Sequence, residues 1–213
     1  MSNISRDAGH FSLRTTLIVV ATAFSLALPP LTLRAPGREQ PARSASVPQG
    51  WLLAGSNPEN YETGVDSQAK RNGFPSAYLK SKPSATEGFG TLMQSFSATK
   101  YAGQRIRLTA SVKADEVSDW AGLWMRVDVK SRPFALDNMA DRSIKGSVDW
   151  HEYQVVLDVP KDATGISFGI LVSKSGTVWL NNVKFETVGS DVPVTAKPFA
   201  ETQEQPVNLN FQN

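Results

Sequence analysis

Short runs with an apolar residue at every second position constrain the fold of this chain more than any other feature. Residues 106–113, 152–159 and 166–173 carry an apolar side chain at every second position, which is the repeat of a strand with one buried face. Between Trp51 and Val188, no apolar stripe keeps helical spacing for more than a few turns. Because turn residues separate the runs, the pattern predicts an all-β fold, an antiparallel β-sandwich or barrel.

Residues 120–129 form the run that carries the most chemical information. Alternation leaves Trp124, Arg126 and Asp128 on one face and turns the apolar members toward the core. The predicted inward set is Leu123, Met125, Val127 and Val129. An indole that stacks on a sugar ring, a guanidinium fork and a carboxylate acceptor together suit a hydroxyl-rich ligand. The alternative interpretation is an ion pair beside a Trp on a solvated sheet face.

Two other segments extend this candidate site. If the strand that contains Gln94 neighbours residues 120–129, its amide joins the same polar face. Residues 134–142 are interpreted as a loop that closes over the site, with Asp137 and Asn138 at the ligand rim, although charged loops also occur as merely solvated segments. The predicted ligand-binding residues are therefore Gln94, Trp124, Arg126, Asp128, Asp137 and Asn138.

A leader precedes the alternating region. Arg6 and Arg14 come before an apolar run at 17–28, which is short for a bilayer-spanning helix and suits an export signal. Residues 1–33 are thus predicted to be a signal peptide or, if uncleaved, a membrane anchor helix. We then expect a Pro/Arg/Ser-rich linker over 34–50, a β-sandwich over 51–188 and an extended tail over 189–213. This organisation predicts a periplasmic or secreted protein, tethered to the membrane if the leader is retained.

The net charge of +2 comes from the first 43 residues. Residues 1–43 carry five Arg against two acidic residues, so the remainder is close to neutral. Duplex binding needs a clustered cationic surface. Nucleic acid is therefore not a predicted partner.

The residue types on which most catalytic and metal sites depend are scarce. Cys is absent and only two His occur, of which His10 lies in the leader and His151 in the body, so neither a thiolate nucleophile nor a His pair for zinc is available. The chain has no Gly-x-Ser-x-Gly elbow and no phosphate-binding Gly-Lys-Ser/Thr loop. Six acidic residues from Asp115 to Asp141 leave a glycoside hydrolase with paired carboxylates open, but nothing in the sequence pairs them. We expect no enzyme, no metal and no cofactor.

Four segments of the body follow an order and spacing typical of a known class of β-domains. The first reads Tyr-Glu-Thr-Gly-Val-Asp at 61–66, and the second leads from Gln94 through a Gly turn to a strand that ends Val-Lys-Ala-Asp at 112–115. The third is a Trp-x-x-Tyr strand entry at 150–153, and the last reads Val-Trp-Leu-Asn-Asn-Val-Lys-Phe-Glu at 178–186. Together they resemble the carbohydrate-binding-module-like jelly rolls of the galactose-binding-domain-like class.

The resemblance implies a jelly-roll β-sandwich with a binding function. The family's closing strand usually carries Asp-Asp or Asp-Asn where this chain has Asn181 and Asn182, so its structural calcium site is not carried over. The sequence as a whole predicts a non-catalytic extracytoplasmic binding module for carbohydrate or a cell-envelope glycan. The alternative is a structural or protein-interaction module that docks another envelope protein and has no sugar affinity.

Overall fold

The computed structural model describes residues 43–44, 46–196, 199 and 209–210. The predicted leader over 1–33 lies outside these residues. Within the described part, strands and short 3-10 helices make up the secondary structure, and no helix there is long and apolar enough to cross a membrane. The strands are β1 Arg43–Ser44, β2 Leu52–Gly55, β3 Tyr61–Arg71, β4 Phe74–Ser81, β5 Phe89–Ser97, β6 Arg105–Val129, β7 Arg132–Asp137, β8 Ile144–Asp158, β9 Ala163–Ser173 and β10 Thr177–Val188.

The 25-residue strand β6 joins two layers of one curled antiparallel sheet. Its first half pairs with β10 and β8, and β10 leads through β4 and β3 to β1. Its second half pairs with β9 and β7, and β9 leads through β5 to β2. We call these strand groups the first layer and the second layer. The prediction of an all-β antiparallel fold is confirmed.

A backbone irregularity lets β6 serve both layers. Even-numbered residues from Ile106 to Ala114 are buried in the core, whereas in the second half the odd-numbered Leu123 and Met125 are buried there. The change falls around Glu116, whose φ of 51° is positive and where the register with β8 shifts. An extra residue of this kind reverses the face that each later side chain takes and bends the strand. The inward parity predicted for the second half is therefore confirmed as far as Val127.

The two layers enclose a core in which aromatic rings meet edge to face. The ring centroids of Phe168 on β9 and Phe185 on β10 are 4.8 Å apart, and Phe96 on β5 lies 5.3 Å from Phe185. Trp51 packs on Phe168 at 5.5 Å. Such pairs add about 0.5–1.5 kcal/mol each beyond the burial of their apolar area, so they help to fix how the second layer faces the first.

Two segments differ from the predicted organisation. Arg43 and Ser44, in the predicted linker, pair with β3 as strand β1. The segment interpreted as a loop over 134–142 begins with β7, because its residues continue a hairpin with β6. A bulge near Asn181 interrupts the last strand, since the register between β10 and β6 shifts between Asn181 and Lys184.

The first part of the predicted tail packs on the sandwich. Arg105 donates hydrogen bonds to the carbonyl oxygens of Ser190 and Val192 at 3.0 and 2.7 Å. Thr195 and Val156 then exchange backbone and side-chain hydrogen bonds. These contacts fasten residues 190–195 along the outer edge of β8.

Candidate functional site

The outer face of the second layer carries a trough that runs along β9. The core-facing residues of β9, such as Phe168, are large and buried. The residues between them, Gly165, Ser167 and Gly169, belong to the outer face and are small. The neighbouring strands β5 and β6 each lie about 4.8 Å away and carry larger side chains. Small residues on the middle strand thus create a concave surface between two higher walls.

Strand register fixes which side chains meet across this trough. Met93 on β5 lies opposite Gly169, which in turn lies opposite Trp124 on β6. The next row along the strands consists of Ser95, Ser167 and Arg126. The two serine hydroxyls are hydrogen-bonded at 2.8 Å. The trough therefore has an apolar end beside Trp124 and a polar end beside the serines.

The indole of Trp124 lies across the trough. Its Nε1 donates to the Thr91 hydroxyl on β5 at 2.8 Å, so the side chain reaches from β6 over β9. Thr91 donates to the Ile170 carbonyl oxygen at 2.9 Å, which leaves its own oxygen to accept from the indole. Gly169 has no side chain to stand beneath the ring. Only 8% of Trp124 is exposed, so the ring is held in place and a small part of it borders the pocket.

Arg126 and Asp128 form an ion pair along β6 at the polar end. Arg126 donates from Nε and Nη2 to Asp128 Oδ2 at 3.2 and 3.0 Å. The guanidinium side chain is 40% exposed and the carboxylate side chain 13%. Arg126 Nη1 makes no hydrogen bond to any residue that the structure describes. Its N–H groups are therefore available to a ligand.

Asn138 reaches the apolar end because the chain crosses back over Gly122. A Cβ on Gly122 would lie 2.4 Å from the Asn138 carbonyl oxygen, so the crossing needs glycine. Asp137 anchors the crossing: it accepts the N–H of Met139 at 2.9 Å and two hydrogen bonds from Arg142 at 2.6 and 3.1 Å. Burial, the largest single effect, lowers the pKa of Arg142, but the hydrogen bonds and negative charges of Asp137 and Asp141 together outweigh it, so the pKa lies above its ordinary value.

These elements enclose a pocket of about 310 Å³. Its polar groups come from Thr91, Arg126 and Asn138, and Arg126 is the one charged side chain among the described residues that line it. The apolar lining consists of Ala54, Phe89, Met93, Trp124, Leu136 and Leu171. A mostly apolar concavity with a few directed polar groups is typical of a small-molecule site.

A wider hollow of about 590 Å³ lies at one end of the sandwich, beside Arg105 and Asp158. Arg105 is held there by Asp158 at 2.7 and 3.0 Å and by the carbonyl oxygens of the packed tail. Because its principal charges already bind each other, this hollow offers a ligand less than the smaller pocket does. We therefore take the smaller pocket as the candidate site.

The structure brings together only part of the predicted site. Trp124, Arg126 and Asn138 line the pocket, and Asp128 lies behind Arg126 as its ion-pair partner. The prediction for Gln94 is corrected: β9 separates β5 from β6, and Gln94 lies opposite the core residue Phe168 rather than on the trough face. A residue one position out of parity points to the other side of a sheet.

Asp137 also takes a different place from the predicted one. It pairs with Met125 in the β6–β7 register, which is the core-facing parity. Its side chain is 4% exposed, and the Arg142 pair occupies both of its oxygens. It therefore supports the segment that carries Asn138 instead of meeting a ligand.

The sequence analysis missed the small residues that shape the site. Gly122 makes room for the Asn138 crossing, Gly169 lets the β5 backbone approach β9 closely, and Thr91 fixes the ring. A signal for one of them was present, because the outward positions of residues 165–169 are all Gly or Ser. An outward-facing run without large side chains indicates a depression in a sheet face.

Comparison with known proteins gives one relative and a set of similar folds. A scan against known protein families finds no match. An uncharacterized HTH-type transcriptional regulator, YbfP of Bacillus subtilis (strain 168), is 42% identical over 167 residues, which are 77% of this chain and 57% of that protein. The chain thus spans little more than half the length of this relative.

Among solved structures, a cyclase from Fischerella sp. TAU is similar with a TM-score of 0.50 and 13% identity, over 68% of this chain and 88% of the cyclase. The CBM22-1 xylan-binding domain of Paenibacillus barcinonensis Xyn10C is similar with a TM-score of 0.49 and 16% identity, over 68% of this chain and 89% of that domain. At such low identity, the cyclase likeness shows a shared β-fold alone.

Proposed function

We propose that this chain is a non-catalytic jelly-roll module that binds carbohydrate in the pocket of the second layer. One observation carries the proposal: the Trp124 ring lies fixed across the trough with hydrogen-bond donors beside it. The apolar face of a sugar ring packs on the part of the indole that borders the pocket and on Met93 and Leu136 beside it. Its hydroxyl oxygens accept from Arg126 Nη1 and from the amide of Asn138, whose Oδ1 is already engaged by the Ala140 N–H at 3.2 Å.

The relative named as a transcriptional regulator is compatible with such a role. A domain that binds a small ligand can act as the sensor of a regulator or as the receptor of an envelope protein. For this chain, the predicted leader at 1–33 favours an envelope protein. We propose a periplasmic or secreted location, with a membrane tether if the leader is retained.

A glycan array probed with the whole chain tests the function, and a matched pair of arginine variants tests the site. Arg126→Gln removes the pocket guanidinium, whereas Arg107→Gln removes an arginine of the same strand that pairs with Glu186 at 2.7 Å on the first layer. We expect Arg126→Gln to weaken sugar binding about tenfold or more and Arg107→Gln to leave it unchanged. Equal binding by both variants would reject the pocket, and an array without any bound glycan would reject the function.

A protein-interaction module remains the second candidate, because two apolar side chains stand exposed beside the pocket. Leu52 on the edge strand β2 is 60% exposed and Phe89 on β5 is 38% exposed. This candidate predicts no sugar affinity and an envelope protein that co-purifies with the chain and is lost with Leu52→Ser. Sugar binding that survives Leu52→Ser would decide against it.

A further inference from the structure

The pocket is closed at one end. The Asn138 carbonyl oxygen and the Trp120 ring both cover Gly122, lying 2.4 and 3.3 Å from where its Cβ would stand. Leu171, the next outward residue of β9 after Gly169, is only 6% exposed. A chain lying along β9 therefore meets a wall beyond Leu171.

The opposite end carries small residues and is polar. Beyond the indole lie Ser167, of which only 4% is exposed, and the partly exposed Gly165, with Ser95 exposed on the neighbouring strand. None of these side chains is large enough to block the exit. The exposed Ser95, whose hydroxyl is hydrogen-bonded to that of Ser167, offers a polar contact to a ligand that leaves the pocket in this direction.

The volume restricts what fits inside. A pocket of about 310 Å³ lies at the lower limit for small-molecule sites, which extend from about 300 to 1,000 Å³. One sugar ring can rest on Trp124 between Met93 and Leu136. Further residues must continue outside, past the exposed Ser95.

The ion pair restricts the charge of the ligand. Arg126 is the charged group that lines the pocket, but Asp128 accepts two of its N–H groups. A ligand carboxylate beside Nη1 would meet the attraction of the guanidinium and the repulsion of the nearby carboxylate together, while it still loses its hydration. Hydroxyl oxygens accept from the same N–H groups without that penalty.

We propose that the pocket recognises the terminal residue of an uncharged glycan, so that the module binds chain ends rather than the interior of a polysaccharide. The end residue stacks on Trp124 with its hydroxyls on Arg126 and Asn138. The rest of the chain leaves past the exposed Ser95. This inference rests on the proposed carbohydrate function and specifies its substrate class.

A length series tests the inference separately from the function. Calorimetric titration of the whole chain uses mono- to hexasaccharides of the xylose, β-1,4-glucose and galactose series, together with a glucuronic-acid-terminated disaccharide and its glucose-terminated counterpart. We expect full affinity with one or two residues, a change of less than about threefold from two residues to six, and at least about tenfold weaker binding of the acidic disaccharide.

The outcomes separate the two proposals. An affinity that rises more than about tenfold between the di- and hexasaccharide overturns end recognition and leaves the carbohydrate function standing. Equal or tighter binding of the acidic disaccharide overturns the preference for an uncharged end. Absence of binding across the whole series overturns the carbohydrate function and this inference with it.

Discussion

The two halves of β6 are one continuous strand, yet they build opposite kinds of surface. In the first half, the outward basic residues form ion pairs with acidic residues of the neighbouring strands. Arg107 lies 2.7 Å from Glu186, and Lys113 lies 3.8 Å from Asp149. In the second half, β9 places only the small residues Ser167 and Gly165 opposite Arg126 and Asp128, so Arg126 pairs along its own strand with Asp128. The same alternation thus gives a solvated charged face in one layer and a pocket in the other. The residue types on the neighbouring strands decide which surface forms.

The largest effect should follow from shortening a buried core side chain beneath the pocket. Met125 is fully buried on the inward side of β6, whereas Met93 stands on the trough face of β5. Met125→Ala should lower the free energy of unfolding by about 2–5 kcal/mol, because it leaves a cavity. Met93→Ala should cost much less stability and instead weaken sugar binding. Urea unfolding followed by fluorescence measures the first quantity and titration the second; equal losses of stability would contradict the assigned parity.

A second effect separates two glycines of the same trough. A Cβ at Gly169 would lie 2.3 Å from the Leu92 carbonyl oxygen, whereas a Cβ at Gly165 would meet nothing closer than 4.0 Å. Gly169→Ala should therefore destabilise the fold by roughly 1–3 kcal/mol through overpacking. Gly165→Ala should change the free energy of unfolding by less than about 0.5 kcal/mol. If thermal unfolding places both variants at the wild-type midpoint, β5 and β9 do not approach each other as described.

A third effect tests whether the indole is fixed by Thr91. Thr91→Val keeps the shape but removes the acceptor of the Trp124 Nε1–H, and an unpaired buried donor costs about 1–3 kcal/mol. Thr91→Ser keeps the hydroxyl and should restore most of the stability and the ligand affinity. Chemical denaturation measures the free energy of unfolding of both variants. Equal values for the Val and Ser variants would show that the hydrogen bond from Trp124 to Thr91 does not stabilise the fold.

The smallest effect concerns the stability of the fold at alkaline pH. It involves two buried tyrosines that do not line the pocket. Burial raises the pKa of Tyr61 and of Tyr153 above the ordinary value of about 10. Because the folded-state pKa lies above the unfolded one, the folded state retains its protons longer. Stability is then fully present below about pH 10 and is lost as the pH rises through the folded pKa values. Thermal melts from pH 7 to 11 should show a constant midpoint followed by a decline, and a midpoint that rises above pH 10 would contradict this sign.

The sequence predicted the strands and the parity of the second half of β6, because alternation records directly which side chains are buried. Trp124 and Arg126 were placed on the same outward face in this way. The placement of Gln94 and Asp137 could not be read from alternation, since it depends on which strands become neighbours and where a bulge or hairpin resets the parity. Gly122 and Gly169 were missed for a related reason. The role of a glycine depends on which neighbouring group fills the space beside it, and the sequence alone does not identify that group.

The most direct measurement follows the indole N–H signals in a 1H–15N spectrum during titration with the best-binding oligosaccharide. The chain has five Trp, among them Trp124 in the pocket and Trp179 on the first layer, where its Nε1 donates to Asp66 at 2.9 Å. We predict that the Trp124 signal shifts with saturating ligand while the Trp179 signal stays in place. A shift of Trp179 with Trp124 unchanged would contradict the claim that the second half of β6 forms the binding site.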